Sequence, residues 1–72
     1  MNDKYKISYI HACIRAFAKR YNLPVKSAFL YLRNFKGIDF LNEFYPVEHL
    51  LSIEDTVDDL ILLCKKNGGE LI

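Results

Sequence analysis

Tryptophan is absent from this 72-residue chain, and glycine (3), proline (2) and cysteine (2) are scarce. So little Gly and Pro leaves no low-complexity tract, no interdomain linker and no repeat, and the length accommodates one small domain. Cys13 and Cys64 lie far apart in apolar surroundings, outside any CxxC or Cys/His ligand spacing. The expectation is two small buried hydrophobes, with no disulfide and no metal. No apolar run approaches the ~20 residues that span a bilayer. The leading Met1-Asn2-Asp3-Lys4-Tyr5-Lys6 lacks a signal-peptide core, because His11, Arg15, Lys19 and Arg20 interrupt the apolar residues after it. A cytoplasmic protein without a membrane segment is expected. Disorder is excluded by the opposite abundance: 51% hydrophobic residues, 14% aromatic and 26% charged.

Catalytic signatures are missing as well. The three glycines, Gly37, Gly68 and Gly69, fall where helices should end, so they form no phosphate-binding loop. GxSxG and HExxH are absent, and neither cysteine has a histidine at catalytic spacing. His11 sits beside a core stripe and reads as a partly buried helix histidine. His49 invites a general-base or switch role, but a histidine bonding backbone in a connector is the simpler reading. Glu54, Asp55, Asp58 and Asp59 have the i, i+4 spacing of a cation site; acids at a helix N-terminus are more simply complements of its dipole. No enzyme, cofactor or metal is therefore expected.

What is present is helical periodicity. Ile7, Ile10, Ile14, Phe17 and Tyr21 are spaced by three and four, with Cys13 beside them, and mark an amphipathic helix over 4–21. Asn22-Leu23-Pro24 stops it, with Pro24 suited to the first position of the next helix. Val25, Ala28, Phe29 and Leu32 form the inner stripe of a second helix over 24–36, ended by Gly37 as a left-handed cap. A short third helix over 38–45 turns Ile38, Leu41 and Tyr45 inward, until Pro46 halts it. Residues 46–52 read as an extended connector. The last helix, 53–67, starts at the N-cap Ser52, carries Lys65 and Lys66 at its far end and stops at Gly68-Gly69. Its stripe of Ile53, Val57, Leu60, Ile61 and Cys64 is widened by Leu62 and Leu63. The expected fold is all-α: a single bundle of about four helices.

The net charge of +1 conceals a division. Residues 1–36 carry eight cations against Asp3 alone, a net of +7; residues 37–72 carry Lys65 and Lys66 against eight acids, a net of −6. With the surplus aromatics Tyr5, Tyr9, Tyr31, Phe40 and Phe44, this points to binding. The candidate partner-binding residues are Arg15, Lys19, Arg20, Arg33, Tyr31, His49, Glu54, Asp55, Asp58 and Asp59. A protein partner or a second copy of the chain is the first expectation. Nucleic acid comes second: residues 17–28 have the layout of a helix-turn-helix front, but the following helix offers Phe29, Leu30, Tyr31 and Leu32 where base-reading polar groups belong.

The order of these signals resembles a bacterial family known as domain of unknown function 3791. The resemblance rests on the first helix from Ile10 to Tyr21, the Asn22-Leu23 turn, Ala28 and Phe35-Lys36-Gly37-Ile38. It continues through Leu41, Tyr45-Pro46-Val47-Glu48-His49 and Ser52-Ile53-Glu54-Asp55-Thr56-Val57-Asp58-Asp59-Leu60, covering about Ile7 to Gly69. It implies an all-helical cytoplasmic bacterial protein. Members of that family are frequently encoded beside proteins resembling ADP-ribosyltransferases, which implies an antitoxin-like role. The family has no catalytic residues to carry over.

Overall fold

The computed structural model describes residues 4–70. Five helices follow one another: α1 (Lys4–Tyr21), α2 (Val25–Asn34), α3 (Gly37–Glu43), α4 (Tyr45–Glu48) and α5 (Ile53–Lys66). No strand occurs among the described residues, so the all-α expectation holds. The two long helices end as local chemistry dictates. Asn22 takes the left-handed conformation at φ 53°, and the Leu23 N–H returns to the Ala18 carbonyl at 2.8 Å. Gly68 (φ 92°) and the Gly69 N–H bonded to the Cys64 carbonyl at 2.8 Å do the same for α5. Both are Schellman closures, which satisfy carbonyls that the last turn leaves open.

Ser52 caps α5 as expected, its Oγ accepting the Asp55 N–H at 3.1 Å. Ser52→Ala should lower stability by about 1 kcal/mol, and Ser52→Gly by only a few tenths. Urea denaturation of the two variants checks that ranking.

The middle of the chain departs from expectation. α2 is shorter than 24–36, with Pro24 at the N-cap and Phe35 at the C-cap. The left-handed residue after it is Lys36, at φ 71°, and not Gly37. Gly37 instead opens α3 and is buried, because a Cβ there would lie 2.9 Å from Leu32 Cδ2. Close approach of α3 to α2, rather than a positive φ, requires this glycine. α3 ends at Glu43, before Tyr45. The segment 46–52 is not extended: its first part belongs to α4, with Pro46 in the first turn, where a missing N–H costs nothing. The Glu48 N–H bonds the Phe44 carbonyl at 2.8 Å and the His49 N–H bonds that of Tyr45 at 3.0 Å. Short-range helical bonds supply what a partner strand would otherwise have to provide.

One core joins the long helices. Cys13, Ile14, Phe17 and Ala18 of α1 meet Ala28 and Leu32 of α2, Leu41 of α3, and Val57, Leu60 and Cys64 of α5. Both cysteines are free and buried, as expected; burial pushes the Cys64 thiol up to about 11. Phe17 is flanked by Tyr21 (ring centroids 5.1 Å apart) and stacks on Tyr31 at 5.7 Å. Tyr31 meets Phe35 at 4.9 Å, so this aromatic row closes the seam between α1 and α2. Three assigned stripe residues are not in the core: Ile7, Val25 and Phe29 are exposed. His11 is exposed too.

Candidate functional site

Two surfaces and one buried polar cluster carry the chemistry. The cluster lies where α1, α4 and α5 meet. The Thr56 hydroxyl donates to the Glu48 carbonyl at 3.3 Å. The Tyr9 phenol and Thr56 Oγ1 share a hydrogen bond of 2.9 Å. Tyr9 also packs edge-on against Tyr45, 5.4 Å between centroids. These contacts bring Glu48 to 6% exposure, with its Oε1 lacking a hydrogen-bond partner. Burial raises the Glu48 carboxyl above its ordinary value, and the negative charge of Asp59 beside it adds to the rise. Burial likewise pushes the Tyr9 phenol up to about 12 and raises the Cys13 thiol.

The first surface is the other side of that junction. Drawing Tyr45 and Glu48 inward turns the apolar residues between and after them to water. Phe44, Val47, Leu50 and Leu51 are all exposed, Val47 at 60% and Leu50 at 76%. His49 sits among them, its Nδ1 2.7 Å from the Tyr45 carbonyl and its ring stacked on Tyr45 at 4.6 Å. It bonds backbone, in line with the simpler of its two readings. Scattered exposed hydrophobes are ordinary, whereas four within eight residues make a patch.

The second surface is a groove of about 320 Å³ between α1 and α2. Ile14, Val25 and Phe29 supply apolar walls, and His11, Arg15 and Lys26 line it with polar groups. Arg33 lies 5.9 Å over the Phe29 ring and extends the cationic rim. Acids are absent from the sequence between Asp3 and Asp39, so nothing on these two helices neutralises it.

The predicted site residues are divided among these places. Lys19 and Arg20 meet the start of α5, where with Ala16, Ile53, Glu54 and Val57 they line a cleft of about 380 Å³. Arg20 pairs with Asp58 at 3.0 Å; both side chains are solvated, so the pair contributes at most about 1 kcal/mol. The charge division therefore cancels locally at this seam and persists elsewhere. Arg15 and Arg33 belong to the α1–α2 face. Tyr31 is part of the aromatic row against Phe17. Glu54 and Asp55 are exposed at the start of α5, while Asp59 is half-buried beside Glu48. Among the described residues no three His, Cys, Asp or Glu side chains converge as a metal-binding group, and no helix is long and apolar enough to cross a membrane.

Sequence reasoning passed over Glu48 and over Val47, Leu50 and Leu51 as companions of Phe44 in one patch, and it assigned Val25 and Phe29 to the inner stripe of α2. A usable signal existed for Glu48. Leu41, Tyr45 and Glu48 continue a four-then-three spacing, which places the carboxyl on the buried side once 45–48 is read as helix.

A protein-family model described as a protein of unknown function (DUF3791) matches residues 8–67. No curated protein and no solved structure matches the chain.

Proposed function

The chain belongs to the DUF3791 family, and from that premise we propose that it is a small, non-catalytic module that binds a protein partner. The observation that carries this reading is the Phe44–Leu51 patch, turned outward by a helical turn whose half-buried Tyr45 and buried Glu48 face the core. An ordered apolar surface loses little conformational entropy on docking, which is how such patches gain affinity. Two free, buried thiols fit a reducing, cytoplasmic setting. An antitoxin-like role in a bacterial paired system is the most specific form of the proposal.

Leu50→Asp tests it, since Leu50 is exposed enough that folding should be unaffected. Wild type immobilised in a native lysate should retain a defined partner in stoichiometric amount, and the Asp variant should lose it by tenfold or more. Retention of the neighbouring gene product would support the antitoxin-like form. Equal retention by both proteins would remove the patch from the proposal.

The cations Arg15 and Lys26, which have no ion pair among the described residues, favour a second reading, a helix-turn-helix-like DNA-binding module. Duplex DNA binding that weakens steeply with salt would support it; no binding at low salt would dismiss it. The apolar Val25 and Phe29 beside Arg15 and Lys26 suit a protein surface better than a phosphate backbone.

A further inference from the structure

The α1–α2 groove and the α4–α5 junction both offer apolar surface and carry opposite charge. The groove is concave, apolar within and rimmed by Arg15 and Lys26. The junction projects Leu50 and Leu51, followed within one helical turn by the exposed carboxylates Glu54 and Asp55. Arg15 and Lys26 have no ion pair among the described residues, nor do Glu54 and Asp55. At 100° per residue, His11 and Arg15 lie on the opposite side of α1 from Tyr9 and Arg20, which contact α5. A single copy therefore cannot bring its own junction into its own groove.

We infer that the groove receives the Leu50–Asp55 segment of a second copy, giving a head-to-tail contact. This deepens the binding reading by naming one partner for the patch, and it rests on that reading. Leu50 and Leu51 would enter between Ile14, Val25 and Phe29, with Glu54 and Asp55 meeting Arg15 and Lys26. The contact is heterologous, so each copy retains a free groove at one end and a free junction at the other. A groove of about 320 Å³ is at the small end of binding pockets. A standard interface covers about 800 Å² per partner, roughly one-sixth of this chain's 5081 Å². A contact confined to the groove and its rim is smaller than that and should be weak. Its ion pairs make it salt-sensitive.

Sedimentation velocity on the whole chain provides the test, with Lys26→Glu disabling the groove and Leu50→Asp disabling the junction. At about 50 mM salt, wild type should grow past dimer as its concentration rises toward about 500 µM, and about 500 mM salt should weaken this tenfold or more. Each variant alone should stay monomeric, with an unchanged helical circular-dichroism spectrum. An equimolar mixture of the two should form a dimer and stop there, since one intact groove meets one intact junction. Wild type that stays monomeric overturns the inference, as does a mixture that stays monomeric or a variant that self-associates alone. A monomeric wild type that still retains a partner through Leu50 would overturn this inference and leave the binding-module reading standing.

Discussion

Phe17→Ala is expected to remove about half of the stability of this protein. Phe17 is fully buried on α1, stacked on Tyr31 of α2 and flanked by Tyr21. It thus joins the two helices that form the groove. Truncating a buried phenylalanine costs about 3–5 kcal/mol, from lost transfer energy and from the cavity left behind. A domain of this length has about 4–11 kcal/mol in total, at roughly 0.05–0.15 kcal/mol per residue. The urea midpoint should therefore fall sharply with little change in slope. Leu50→Ala is the control, because Leu50 is 76% exposed and its loss should cost no more than about 0.5 kcal/mol. Similar costs for the two variants would contradict the central position of Phe17 in the core.

Glu48→Gln is expected to stabilise the protein at alkaline pH and to flatten its pH dependence. Burial beside Asp59 raises the folded-state carboxyl above its ordinary value of 4.5, so the folded chain holds this proton more tightly than the unfolded chain does. The contribution to stability is fully present below the unfolded value, and it is lost as pH rises through the raised folded value. Above that value the protein holds a buried carboxylate whose Oε1 has no partner. The groups around it are Asp59 and Thr56 of α5 and Tyr9 and Cys13 of α1, none of them cationic. Gln removes the charge and keeps the shape. It should raise stability by about 1–3 kcal/mol near pH 8 and change little near pH 4. For a chain of this size each kcal/mol moves the melting temperature by about 4–8 °C, so thermal melts across that range resolve the effect. A Gln variant with the same pH slope as wild type, or one less stable at pH 8, would refute the assignment.

The effects differ because the two residues differ in what surrounds them. Phe17 was legible as a core residue from its place in the α1 stripe, and Ala28, Leu32, Leu41, Val57 and Leu60 were legible in the same way. Periodicity identifies a side chain that some neighbour must cover. It is silent on whether that neighbour exists, which is why Ile7 and Val25 follow the stripe and still face water. Glu48 fails in the opposite sense. Its polarity argues for solvent, but Pro46 starts a helical turn at 45–48, and that turn carries the carboxyl inward with Tyr45. The same rotation exposes Val47 and Leu50, so the misplaced acid and the unnoticed patch have a single cause.

Helix type, the limits of α1 and α5 and their caps were determined by the sequence alone. They depend on spacing, on Asn22, Ser52 and Gly68, and on backbone bonds between residues close in the chain. Tertiary structure decided what those helices cover. The helical turn at α4, the buried Glu48, the close approach that makes Gly37 necessary, and the groove between α1 and α2 all depend on how separate segments pack together. The charge division belongs to both levels. Its existence is a property of the chain, whereas its fate depends on packing, which neutralises Arg20 against Asp58 and leaves Arg15 and Lys26 across α1 from the acids that could have met them.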